Sequence, residues 1–296
     1  MMTKRSIADE IDGLMGLKGL VETYEEVAAG RMQKVRLAVL TARDFLQGLS
    51  GVFVEVKANY YEQVTMLVRK KKGGKETKSS LNRNGRTVAV WISANAGLYG
   101  DIVEKTFSAF ETFVNENKPD VVIIGKLGVR QMTERMPQIL YNYFGLEDDR
   151  VGPEELGEIM RYLLQFEKIL VFHGLFKSLV NQESVTTAVS GDDLYQQSEP
   201  SSAGASEGQA KHQYLFEPEL AKVLQFFESQ ILVTLFEQAV HESQLAKFAS
   251  RLMSLDRAVD NIDKRLAVMT LAGQRLRHTT AGKKQQGLMS GVSLWR

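Results

Sequence analysis

The chain has 296 residues, with 37 Lys+Arg against 36 Asp+Glu, a formal net charge of +1 and a hydrophobic fraction of 44%. That balance suits a globular chain of one or two domains and removes the bulk electrostatic case for a dedicated nucleic-acid binder. With no cysteine, disulfides, thiol catalysis and Cys-based metal sites are excluded.

His173, His212, His241 and His278 are far apart and carry no HExxH spacing, so no metal site is expected. No apolar run approaches the roughly 18 residues of a membrane span, and MMTKRSIADEIDG lacks a signal peptide's apolar core.

In chain order, Ile7, Ile11, Leu14, Val21, Ala28, Met32, Val35, Val39, Ala42, Leu46 and Leu49 keep alternating steps of four and three, with Lys18 and Glu25 as breaks in the series. A sustained 3.5-residue period predicts a helix lying along a partner in a left-handed coiled coil. The glycines at 13, 16, 19, 30 and 48 each cost about 1 kcal/mol in a helix, and a close partner approach is the expected reason for keeping them. The segment from 69 to 86, RKKKGGKETKSSLNRNGR, sets eight basic residues against Glu76 and reads as a loop.

Thr87 to Ile92 (TVAVWI) and Asp120 to Gly125 (DVVIIG) are continuous β-branched apolar runs, hence buried strands. Between them Ile102, Val103, Phe107, Phe110 and Phe113 fall on helical spacing before Pro119, which makes a βαβ unit. A helix near Pro153 to Phe166 precedes two more strands, KILVFHGLF and SVTTAV. Residues 190 to 213 are rich in Ser, Gly and Gln and read as a linker. From Leu245 the apolar stripe returns through Phe248, Leu252, Leu255, Val259, Ile262, Leu266, Met269 and Leu276, with no proline after Pro218. Two stripes at opposite chain ends bury their seams most economically against each other as an antiparallel pair.

The predicted fold is therefore α/β: an antiparallel coiled coil of long N- and C-terminal helices with an inserted Rossmann-like α/β domain. The expected divisions are a first helix over 1–58, a basic loop region over 59–86, the insert over 87–190, a linker over 191–213 and a last helix over 214–296.

Several stretches resemble the gamma subunit of F-type ATP synthases. Residues 10 to 36 align without gaps with that family's first helix, including the Ala-Ala before a basic cluster, although most of the family's lysines are missing. VWISANAGLYGDI, residues 90 to 102, is similar to the family's Thr-Ser-Asp-(Arg/Lys)-Gly-Leu-Cys-Gly-Gly, keeping Ser93, Gly97, Leu98 and Gly100, with one residue inserted and tyrosine in place of cysteine. Near the C-terminus Arg251, Ala258, Asp260 and Asn261 match Arg-Met-x-Ala-Met-x-x-Ala-x-Asp-Asn-Ala, QRLRH at 274 to 278 stands for Asn-Arg-x-Arg-Gln, and YLFEP at 214 to 218 resembles the opening of the last helix. Beyond Arg277 the family's Ile-Thr-x-Glu-Leu is replaced by AGKKQQ. This divergence resembles the alternative bacterial form of the enzyme.

The resemblance implies a non-catalytic central-stalk rotor subunit that couples ion-driven rotation to ATP synthesis or hydrolysis. Its implied partners are the alpha, beta and epsilon subunits and the membrane rotor c-ring, and its implied place is the cytoplasmic face of the bacterial inner membrane, as a peripheral protein. It also implies partner contacts through Arg251, Arg275, Arg277 and His278, and through Gly97, Leu98 and Gly100 at a rotor-facing end. Arg251 and Asp260 equally suit ion pairs within the stalk. Two other functions are weighed. A dinucleotide-binding enzyme would need GxGxxG, which GLYG lacks. A coiled-coil nucleic-acid protein would use the 69–86 loop, which has no interleaved aromatics.

Overall fold

A computed structural model of the chain describes residues 4–59, 84–189 and 220–293. Most of the basic segment, the 191–213 linker and YLFEP lie outside the described residues. The elements are α1 (Lys4–Asn59), β1 (Thr87–Ile92), α2 (Ile102–Asn117), β2 (Asp120–Ile124), α3 (Lys126–Arg135), β3 (Tyr141–Phe144), α4 (Pro153–Leu163), β4 (Lys168–Phe176), β5 (Gln182–Ala188) and α5 (Leu220–Ser293). The chain forms two compact units, residues 1–30 with 251–296, and residues 31–250.

The first unit is a helix pair. Ile7 and Val21 of α1 and Leu255 and Ile262 of α5 are buried, with Leu14, Val259 and Leu266 packed beside Val21, Leu255 and Ile262. Lys18 donates to Asp263 at 2.6 Å and Arg265 to Glu10 at 2.8 Å, so rising numbers on one helix meet falling numbers on the other and the pair is antiparallel. Lys18 thus breaks the apolar stripe only to tie its edge. Gly13, Gly16, Gly19 and Gly30 have no atom within 4 Å of where a Cβ would stand. The expectation that glycines let the partner helix approach is corrected here: none of the four faces the seam. A glycine of this unit that does face the partner helix is Gly273, where a Cβ would lie 3.5 Å from Ile7 Cγ2. Residues 277–290 of α5 are exposed throughout.

The second unit is built on a five-stranded sheet in the order β3-β2-β1-β4-β5, parallel except for β5. Strand residues alternate between two cores. Val88, Val90 and Ile92 pack with Leu156, Ile159 and Leu163 of α4 and Leu232, Phe236 and Val240 of α5. Ala89 and Trp91 pack with Phe107, Phe110 and Val114 of α2 and Met132 of α3. Covering both faces explains why β1 and β2 read as unbroken apolar runs. Pro at the start of α4 with Glu154 and Glu155 in its first turn suits a helix N-terminus. Lys118, with φ 48°, closes α2 in the left-handed conformation just before Pro119.

Two elements were not predicted. α3 is a polar decapeptide with only Gly128 and Met132 buried, and β3 is a half-exposed four-residue edge strand. Neither carries the apolar period that marks a helix or a buried strand.

In this unit α1 contributes Val35, Val39, Phe53 and Val56 to the interior. Every residue of α5 from 242 to 250 is buried, including Glu242, Ser243, Gln244 and Lys247. Gly174 of β4 makes room for that helix, since a Cβ there would lie 3.0 Å from Ala246 Cβ and 2.9 Å from Ile102 Cγ1. Gly48 of α1 again faces open space.

Candidate functional site

In open α/β sheets ligands bind beyond the carboxyl ends of the parallel strands, at the point where strand order reverses. Here that point lies between β1 and β4, and side chains fill it. After β1 the chain turns through residues 93–101. Asp148 accepts hydrogen bonds there from the backbone N–H of Asn95 (2.8 Å) and Ala96 (3.1 Å) and from the Tyr99 hydroxyl (3.2 Å). Lys247 of α5 donates to Asp148 Oδ1 at 3.1 Å and to the Ser93 carbonyl at 2.9 Å. Asn95 donates to the Leu146 carbonyl and accepts from the Lys126 N–H. A cavity of about 10 Å³ remains beside Ser93, Asp148, Gln244 and Lys247, which is room for one water and none for a pyrophosphate. The dinucleotide reading has no space at this crevice.

The turn carries two left-handed residues, Leu98 (φ 67°) and Gly100 (φ 58°). Gly100 is therefore needed for the backbone. Gly97 is not, because its φ is ordinary and the space around it is open. Leu98 is 65% exposed, so a bulky residue holds a conformation costing about 1–2 kcal/mol without burying its side chain. An outlier of that kind points to function at the site. Next to it, Tyr99 and Ile102 pack with Val35, Val39, Leu245 and Phe248. At the other extreme of helix pairing in this unit, Phe53 meets Phe227 with ring centroids 6.2 Å apart.

Gly97, Leu98 and Gly100 thus sit together on one loop of the second unit. Arg251, Arg275, Arg277 and His278 belong to the first unit, on α5. Arg251 is half-buried, whereas Arg275, Arg277, His278 and Asp260 are exposed.

Sequence reasoning missed Lys247, Asp148 and Asn95. HESQLAKFAS looks like a helix with one polar face, and the only available signal was its run of small residues, Ser243, Ala246, Ala249 and Ser250, which lets other chain segments close in on every side. It also missed the polar pair behind β4. His173 is fully buried, with Nε2 2.8 Å from Thr187 Oγ1 and Nδ1 3.1 Å from the Gly174 carbonyl. Burial pushes its pKa below the ordinary histidine value, so the ring is neutral, with Nδ1–H assigned as donor to Gly174 and Nε2 as acceptor from Thr187. Glu242 accepts from Arg43 at 2.7 Å and Gln238 at 3.0 Å. Among the described residues no three His, Cys, Asp or Glu side chains group as a metal site, and no helix is long and apolar enough to cross a membrane.

Residues 3–281 match the family model described as ATP synthase. The ATP synthase gamma chain of Halothermothrix orenii is 21% identical over 301 residues, covering 99% of both chains. That of Elusimicrobium minutum is 22% identical over 294 residues, covering 95% of this chain and 94% of its own. Among solved structures, a chain from the central stalk and c-ring of the Tetrahymena thermophila mitochondrial ATP synthase superposes with a TM-score of 0.57 at 16% identity, covering 81% of this chain and 99% of its own. A chain from the OSCP/F1/c-ring part of the Euglena gracilis enzyme gives 0.50 at 14% identity, covering 90% and 94%.

Proposed function

The chain belongs to the ATP synthase gamma family, and from that premise we propose that it is a non-catalytic shaft, coupling ion-driven rotation to ATP synthesis or hydrolysis in a ring of alpha and beta subunits. Its further partners are the epsilon subunit and the membrane c-ring. It works as a peripheral protein on the cytoplasmic face of a bacterial inner membrane.

One observation supports this most: the chain-terminal helices pair antiparallel while a compact α/β unit is held between them in sequence. An asymmetric shaft presents different faces to otherwise equal catalytic sites, so each site's nucleotide affinity depends on the angle, which is a coupling free energy and not a chemical step. The division proposed is one of function: residues 1–58 and 214–296 form the shaft, and 87–190 form the coupling body.

Arg275, Arg277 and His278, exposed near the end of α5, are suited to charge-assisted bonds with carboxylates of the beta subunits. We propose that the loop carrying Gly97, Leu98 and Gly100 is a contact for a partner subunit, with the exposed Leu98 as its contact side chain.

The test is reconstitution of this chain with purified alpha and beta subunits of its own organism. ATP hydrolysis by a complex that forms only when the chain is present supports the reading. Titration of the isolated chain with ATP or NAD that shows tight binding would favour the enzyme reading instead.

A further inference from the structure

The α/β unit is fastened to α5 in two ways. Leu232, Phe236, Ala239 and Val240 pack into the sheet core, an apolar contact that is non-directional and tolerates small slips. Lys247 is different. Its ammonium, on a side chain only 6% exposed, donates to the Ser93 carbonyl at the end of β1 and to Asp148 of the loop after β3, and lies 5.8 Å from the Tyr99 ring centroid. One turn away Gln244 donates to the Glu147 carbonyl at 3.3 Å. Asp148 in turn holds the 93–101 loop through two backbone N–H groups and the Tyr99 hydroxyl. A displacement of α5 along or about its own axis takes the ammonium from these partners and leaves a buried cation unpaired, which is strongly disfavoured.

We propose that Lys247 is a positioning residue that locks α5 in a single register against the α/β unit and carries torque between them. The lock rests on the central-stalk reading and adds to it. Burying charge here costs stability that an apolar pair would not, and one attested return for such a cost is a unique register.

The experiment uses the assembled rotary complex containing the full chain, comparing wild type with K247M, K247Q and the double variant K247M/D148L. Three quantities are read: ATP hydrolysis, ions moved per ATP hydrolysed, and amide exchange of residues 93–101 in the complex. The lock predicts that K247M and K247Q keep hydrolysis within about twofold, move at least about twofold fewer ions per ATP, and exchange the 93–101 amides at least about tenfold faster. K247M/D148L restores assembly, because the unpaired charge is gone, yet it also loses the acceptor of the Asn95 and Ala96 N–H groups, so exchange of 93–101 stays fast and coupling stays poor. If K247M complexes do not assemble, K247Q and the double variant decide between the same outcomes. Ion movement per ATP equal to wild type in K247Q and in the double variant overturns the lock while leaving the stalk reading intact. A wild-type chain that supports no coupled activity at all overturns the stalk reading itself.

Discussion

Adding one methyl group at Gly174 measures how tightly α5 is pressed into the α/β unit. The new Cβ of G174A meets Ala246 Cβ at 3.0 Å and Ile102 Cγ1 at 2.9 Å. Neither neighbour can yield easily, since Ala246 has no side-chain rotation and Ile102 is 1% exposed at the start of α2. Overpacking of this kind costs about 1–3 kcal/mol, offset by about 0.4–1 kcal/mol from the lower entropy of the unfolded chain. The net loss is about 1–2 kcal/mol, which for a chain of this size lowers the melting temperature by several degrees, roughly 2–4 °C per kcal/mol. G157A is the matched control: Gly157 lies in α4 with nothing within 4 Å, so alanine should raise stability by about 0.5–1 kcal/mol. Thermal melts of the three chains by circular dichroism decide the matter. A G174A variant as stable as wild type would show that the helix does not approach β4 as closely as described.

Other substitutions probe the remaining parts. G16A and G19A, on an open face of α1, should each stabilise the isolated chain by about 0.5–1 kcal/mol; lost assembly in the same variants would mean that a partner's backbone approaches that face. L98G should relieve the left-handed strain and stabilise the isolated chain by about 1 kcal/mol, while weakening assembly of the complex if the exposed leucine touches a partner subunit. His173 has a folded-state pKa below its unfolded value, so its contribution to stability is present above about pH 6.5 and is lost as the pH falls through the folded value. Urea unfolding at pH 7 and pH 5 should show a loss that H173Q reduces. D263N removes an exposed ion pair to Lys18 and should cost no more than about 1 kcal/mol, read from the same urea curves.

Much of this architecture was legible because periodicity survives wherever a face is buried. Each residue of the first stripe, from Ile7 to Leu49, is buried or half-buried, and so are Lys18 and Glu25, the two positions that break it. β1, β2 and β4 were legible because cover on both faces writes an unbroken apolar run. β3 and α3 were not, since an edge strand with two exposed residues and a helix burying only Gly128 and Met132 leave no period to read. The junction at Lys247 was hidden for a different reason. A lysine in a helix is ordinarily solvated, and only the fold brings Ser93, Asp148 and Tyr99 around it from positions 154, 99 and 148 residues away. Conversely, the glycines of α1 looked like sites of close helix contact, and the paired helix does not touch them.

Because the chain contains no cysteine, the substitution L98C gives a unique attachment point for a probe, and observing that probe on the surface-fixed complex tests the shaft most directly. Stepwise rotation in one sense on addition of ATP, abolished when ATP is withdrawn, is the predicted result. A complex that hydrolyses ATP while the probe on this chain stays stationary would contradict the account.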